Sequence, residues 1–408
     1  MDNRRQAWVL FGVLAAMYCF SQFYRMSTAV IAVDLDREFG LGPVRLSVLG
    51  GAFFYAFASV QIPLGLALDR WGARRILIGA TALGAAGCIL FALSPGWYGL
   101  LAGRVLMGLG MAPVLMGSFK LFARWFPAAA FGRVSGLMLA VGTLGSLLAA
   151  TPLAELVGRV GWRASFLGFG VATLAITGAL AAVVRDRPEG DPGGGQRGSS
   201  LGGLFRLARM PGFWAMVPLA LTGYAAVASV QGLWGGPFFM ENLGYSRVET
   251  GNILFQLGLF TALGSAAGGL LSDRWIPSRK WVVVGGNAVG LVFLLPLLGV
   301  ARPPTPAGWC VALGAFAFFS AFRSLLYAHV KELVPEGYEG TAVTAVNFFV
   351  MLGPALLQQA IGGVLAWRPG AYEAAFGVLV AGLGLGTLAY LGAPDTHPSR
   401  QGSGGQGA

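Results

Sequence analysis

A succession of apolar runs, each about as long as a membrane is thick, constrains this chain more than anything else in it. A helix needs roughly 20 predominantly apolar residues to cross the hydrocarbon core. Twelve such runs are expected, at 7–33, 44–68, 76–94, 98–122, 131–157, 163–184, 213–240, 247–272, 281–300, 308–330, 341–366 and 371–391. In lipid each backbone N–H and C=O must be satisfied within the protein, so runs of this kind become helices. Of 408 residues, 56% are apolar and only 11% charged, whereas a soluble domain carries about 25% charged residues. An ordinary soluble fold is excluded. The first run, after Arg4 and Arg5, is too long for a signal peptide and no small-residue cleavage site follows it.

Between the second and third runs lies a tight turn, Gly65-Leu-Ala-Leu-Asp69-Arg70-Trp-Gly72-Ala-Arg74-Arg75. Gly65 would let a neighbouring helix approach, and Gly72 permits a turn of few residues. Asp69 could pair across the bundle or cap a helix N-terminus. Arg70, Arg74 and Arg75 would hold the loop on the cytoplasmic side. At an offset of 204 residues the pattern returns as Gly269-Leu-Leu-Ser-Asp273-Arg274-Trp275, without the glycine and arginine pair that follow in the first copy. A half-chain offset in the same order marks two parallel halves of six helices. The expected fold is therefore all-α, twelve transmembrane helices in two pseudo-symmetric six-helix bundles. The halves are expected at 1–184 and 213–391, joined by a cytoplasmic linker at 185–212 and followed by a disordered cytoplasmic tail at 392–408.

The charges fit that topology. With both termini cytoplasmic, 17 of the 28 Lys and Arg fall in cytoplasmic segments, and the outer loops hold Arg37, Arg45, Arg159, Arg163, Arg247, Arg302 and Arg368. This is the positive-inside distribution. It accounts for much of the net charge of +11 without a nucleic-acid partner. Cys19, Cys88 and Cys310 lie singly inside apolar runs and suggest neither disulfides nor a metal site. No cofactor, metal or enzymatic constellation is expected, and a monomer in the lipid bilayer of the cytoplasmic (inner) membrane is.

The first loop resembles the loop between helices 2 and 3 of the major facilitator superfamily, Gly-x-x-x-Asp-Arg-x-Gly-x-Arg-Arg. Arg104-x-x-x-Gly108-x-Gly110 resembles the family's pattern in helix 4. Gly142-x-x-Gly145 with Ala149-Ala150-Thr151-Pro152 resembles its small-residue stretch in helix 5. The resemblance runs from about residue 7 to 391. It implies a secondary transporter whose helices 1, 4, 7 and 10 line a central cavity. Within the family, Tyr24-Arg25-x-x-x-x-x-Ile31-x-x-Asp34-Leu35 resembles the helix 1 pattern of the organic anion–cation symporters, which also use an arginine in helix 4, here Arg104. Those proteins often carry acids that this chain lacks, one before the helix 1 arginine and one in helix 4. Uniport, anion exchange and coupling through another group are all open.

Ionisable groups deep in a membrane are expensive, so each is a functional candidate. Four bases qualify: Arg25, Arg104, Lys120 and Arg323. Lys120 is near enough to the cytoplasmic end to snorkel. All 17 acids lie in loops or at span ends, so none is expected to neutralise Arg25, Arg104 or Arg323. A guanidinium fork suits a carboxylate or phosphate. The substrate is read as a small organic anion of carboxylate type, bracketed by Arg25 and Arg323. Gln22, Tyr24, Gln61, Tyr224, Gln231, Gln256, Tyr327 and Asn347 are the polar groups expected to complete the site. Asp69, Arg70, Asp273 and Arg274, with Gly65, Gly72, Arg74 and Arg75, are expected to act as a conformational switch. Gly235-Gly236-Pro237 is expected to break the seventh helix, as a gate or a plain kink. Other readings are a carrier of neutral or other solutes (a drug, a peptide, a nitrate-like inorganic anion) and a non-transporting receptor on a carrier fold.

Overall fold

In the computed structural model, residues 3–186, 201–335 and 338–396 are described. Of the expected tail, 392–408, the part from 397 lies outside them, as does half of the expected linker, 187–200. The described chain is helical throughout, with no strand among the described residues. Helix α1 is Asn3–Met26 continued by Thr28–Phe39, and α2 is Gly42–Ser59 continued by Gln61–Trp71. Then come α3, Ala73–Leu93, and α4, Trp97–Met111 continued by Val114–Trp125. Helix α5 begins as Ala128–Leu148 and runs into Thr151–Val183, which turns at Gly161 (φ 81°); the part beyond that turn is α6. In the second half α7 spans Pro211–Asn242, α8 Arg247–Trp275, α9 Arg279–Val292 and α10 Pro306–Leu333. Helices α11, Glu339–Trp367, and α12, Tyr372–Tyr390, complete it.

Ten of the helical segments are long and apolar enough to cross a membrane, and α2 makes an eleventh when its two parts, bent by 48°, are taken together. Helix α9 is shorter and ends in a 3-10 turn at Leu295–Leu298. The breaks have local causes. Pro63 removes a backbone donor and crowds the carbonyl four residues back, so α2 bends at Val60. Pro113 does the same to α4 between Met111 and Val114. The seventh helix is not broken at Gly235-Gly236-Pro237. It passes through π turns at Val230–Trp234 and Phe238–Asn242 and stays helical between them. Gly236 serves packing instead: a Cβ there would stand 1.8 Å from the Ala29 carbonyl oxygen, so α7 and α1 touch backbone to backbone.

The two halves meet through α1 with α7, α2 with α11 and α5 with α8. At one end Arg247 holds Asp34 with two hydrogen bonds of 2.5 and 2.6 Å and donates a third, 2.9 Å, to the Val30 carbonyl. Thr151 Oγ1 to Asn252 Oδ1 (2.9 Å) joins the halves as well, and Tyr55 Oη to Gln359 Oε1 (3.0 Å) joins them nearer the middle of α2. At the opposite end each half closes on itself. Lys120 of α4 bonds Asp69 (2.5 Å) and the Leu68 carbonyl (2.7 Å). In the second half Arg279 bonds Asp273 and, at 3.1 Å, Glu332 of α10.

Candidate functional site

Tyr18, Gln22 and Arg25 recur at i, i+4 and i+7 on α1, which puts them on one helix face. Arg25 is 7% exposed, and its guanidinium carbon lies 4.4 Å from the centroid of the Phe57 ring of α2, a cation–π contact. Its Nε is buried without a hydrogen-bond partner. Arg323 sits where α10 tightens into a 3-10 turn at Ala321–Ser324. Its Nη1 donates to the Ser320 carbonyl (2.9 Å) and Ser320 Oγ (3.3 Å). Its guanidinium lies 5.6 Å from the Tyr224 ring centroid. Among the described residues neither arginine is paired with an acid.

The two arginines share surroundings. Tyr327, one turn beyond Arg323, is within electrostatic reach of Arg25, Arg323, Tyr18 and Tyr224. Tyr18 in turn is within reach of Arg25 and Tyr224. One cluster thus holds a guanidinium from each half and three phenols. A hydrogen-bonded chain closes one side of it. Tyr327 Oη donates to Asn347 Oδ1 of α11 (2.9 Å), and Asn347 Nδ2 donates to Gln61 Oε1 of α2 (3.1 Å). Gln61, at the bend of α2, is 1% exposed, so this bond joins the halves deep inside the protein. Gln22 is half-buried on the face of Arg25, and its Oε1 has no partner.

Three expected site residues, Tyr24, Arg104 and Gln231, bond other groups of the bundle. Tyr24 is adjacent to Arg25 in sequence but about 100° away around the helix. Its hydroxyl lies 2.7 Å from Thr173 Oγ1 of α6 and its ring packs on Phe20 and Phe23. Arg104 is 1% exposed. Its Nη1 donates to the Tyr24 carbonyl (2.8 Å) and its Nε to the Leu49 carbonyl (3.4 Å), over the Phe53 ring. The Tyr24 carbonyl stands just before the break of α1, so Arg104 steadies the turn that carries Arg25. Gln231 ties α7 to α8 by a 3.3 Å bond to the Leu254 carbonyl. Gln256 is half-buried on α8. Tyr18 was not singled out from the sequence, although its spacing from Gln22 and Arg25 carried the signal.

The loop residues form a separate cluster. Gly72 (φ 81°) adopts a conformation that side chains rarely take. Beside it Asp186, at the end of α6, accepts from the Arg74 backbone N–H (2.9 Å), while the Arg74 side chain bonds the Ala181 carbonyl (2.7 Å). The acid that caps α3 is therefore Asp186, and Asp69 pairs with Lys120 within its own half. Arg70 lies over the Trp71 ring. Gly65 and Arg75 are half-buried and exposed helix positions flanking the turn, and Arg274 is exposed. Among the described residues no group of three or more His, Cys, Asp or Glu could hold a metal ion.

Twelve helices in two halves of the described chain, ten or eleven of them long and apolar enough to cross a membrane, with irregular helix turns presenting polar groups between the halves, fit a secondary-transporter architecture. The family model of the Major Facilitator Superfamily matches residues 14–234 and again 232–408, and the chain belongs to that superfamily. It is similar to a probable sulfoacetate transporter, SauU, of Cupriavidus necator, with 26% identity across 94% of this chain and 93% of that protein. It is also similar to a gentisate transporter of Corynebacterium glutamicum, with 24% identity across 91% and 83%. Among solved structures, a bacterial homologue of the human lysosomal transporter Spinster superposes with a TM-score of 0.76 at 18% identity, covering 96% of each chain. The chain is a multi-pass membrane protein of that superfamily.

Proposed function

We propose that this chain carries a small organic anion of carboxylate type across the cytoplasmic membrane by alternating access. The observation that carries the reading is the pair of guanidiniums, Arg25 from one half and Arg323 from the other, without an acid among the described residues, with Tyr18 near the first, Tyr224 over the second and Tyr327 near both. Buried charge without a counter-charge is costly, and a bound carboxylate supplies the missing charge in forked hydrogen bonds. Gln22, Gln61, Tyr224, Tyr327 and Asn347 surround it, and Tyr18 joins them. Similarity to relatives named for sulfoacetate and gentisate supports the anionic class. The halves, 1–184 and 213–391, rock about this site. Both termini and the 185–212 linker are cytoplasmic, and the end closed by Asp34 and Arg247 faces outward. Thermal shifts of the purified protein with a panel of carboxylates, sulfonates, cationic drugs and neutral sugars test the reading. Stabilisation is expected from the carboxylates or sulfonates; stabilisation by cations or sugars alone would overturn it.

A further inference from the structure

We infer, resting on the anion reading above, that the substrate is a hydroxycarboxylate and that Gln22 is the residue that selects its hydroxyl group.

Three amide side chains stand with the arginines, and two of them have their oxygens occupied. Asn347 Oδ1 accepts from the Tyr327 hydroxyl (2.9 Å), and Gln61 Oε1 accepts from Asn347 Nδ2 (3.1 Å). Tyr327 has thereby committed its own proton. Gln22 differs. Its Oε1 is buried, and no N–H or O–H among the described residues bonds it. Gln22 precedes Arg25 by three residues on α1. Side chains at that spacing are neighbours on one helix face, with Cβ atoms about 5–6 Å apart. Phe20 and Phe23, on the other side of the helix, pack against Phe169 of α6. The free oxygen therefore belongs to the face that carries Arg25.

A carboxylate cannot satisfy that oxygen. When ionised it only accepts hydrogen bonds, so it engages the Arg25 guanidinium and leaves Gln22 Oε1 unpaired beside it. A sulfonate does the same. A buried acceptor without a donor is costly once the site closes and water leaves. A hydroxyl near the carboxylate removes that cost. Its O–H donates to Gln22 Oε1 while the carboxylate stays on the guanidinium. Because Gln22 and Arg25 are one helical turn apart, the hydroxyl must lie close to the carboxylate on the substrate. Sites that bond a substrate hydroxyl reject analogues lacking it far more strongly than apolar pockets sort by size.

The test is titration calorimetry on the full chain with acids paired to differ in hydroxylation: lactate with propionate, 3-hydroxybutyrate with butyrate, and gentisate with benzoate. Sulfoacetate serves as an anion without a hydroxyl. In at least one pair the hydroxy acid is expected to bind tighter than its plain partner by about tenfold or more, and Gln22→Leu is expected to bring that ratio within about threefold. Gln22→Met is a second apolar variant for the same comparison, and thermal melting checks the fold of both. A ratio below tenfold in every pair overturns the inference and leaves the anion site standing, as does binding of sulfoacetate alone. A preference that persists in a folded variant overturns the role of Gln22. Failure of every anion to bind the parent overturns the anion reading, and the hydroxyl inference with it.

Discussion

Arginines that look alike in the sequence have different work in the structure. Arg104 donates from Nη1 and Nε to the Tyr24 and Leu49 carbonyls, while its Nη2 is buried without a partner. Arg104→Ala should therefore cost stability, about 2 kcal/mol or more, because buried carbonyls lose their donors. Anion affinity should stay within about threefold, provided the turn of α1 survives; a large loss of affinity in a protein that melts normally would return Arg104 to the site. For Arg25 and Arg323 the expectation is reversed: Arg→Lys should keep the fold yet fail to restore affinity fully, since an ammonium cannot make a forked contact. Titration calorimetry on the two lysine variants reads this, and parent-like binding would show that a point charge suffices. The depth of these bases and the absence of acids near them were legible in the sequence. What each guanidinium touches was not, because the carbonyls that engage Arg104 belong to other helices. Tyr24 shows the same limit: neighbours in sequence are not neighbours on a helix face, whereas Tyr18 shares the face of Arg25 from seven residues away.

Helices that meet across the two halves are expected to set which end opens. The Asp34–Arg247 pair joins α1 to α8, with side chains only 21% and 24% exposed. Asp34→Asn should weaken that closure by about 1 kcal/mol, roughly a fivefold shift in the balance of conformations. Spin labels at positions 45 and 302, one in each half at that end, should report a longer distance population in the variant; an unchanged distribution would remove the pair from gating. At the other end, Asp69→Asn and Lys120→Ala should each slow transport, and together no more than either alone, because both break one contact. Additive losses in a transport assay would mean that Asp69 acts through another partner. Spans were readable from apolar length; the bends of α2 and α4 were not among the expectations, although Pro63 and Pro113 carried the signal. The course of α7 was not: Gly235-Gly236-Pro237 reads as a break, but π turns absorb the proline and the glycine admits α1. Nor could the sequence show that Asp186 closes the loop beside Gly72, since that contact joins α6 to the start of α3.

Across the whole molecule, the internal repeat fixed the two-half plan, while the way the halves close on each other needed coordinates. Sidedness follows from the distribution of bases: a cysteine introduced at position 193 or 404 should react with an impermeant reagent only after the membrane is permeabilised, and labelling of intact cells would reverse the topology. The central claim is that one anion is held between Arg25 and Arg323. Calorimetric titration of sulfoacetate or gentisate into the parent, Arg25→Ala, Arg323→Ala and the double variant tests it most directly. Each single variant should lose about 1.5–3 kcal/mol of binding, the worth of a charged hydrogen bond. The double variant should lose less than the sum, since both side chains grip one ligand. Parent-like binding by either correctly folded single variant would contradict the claim.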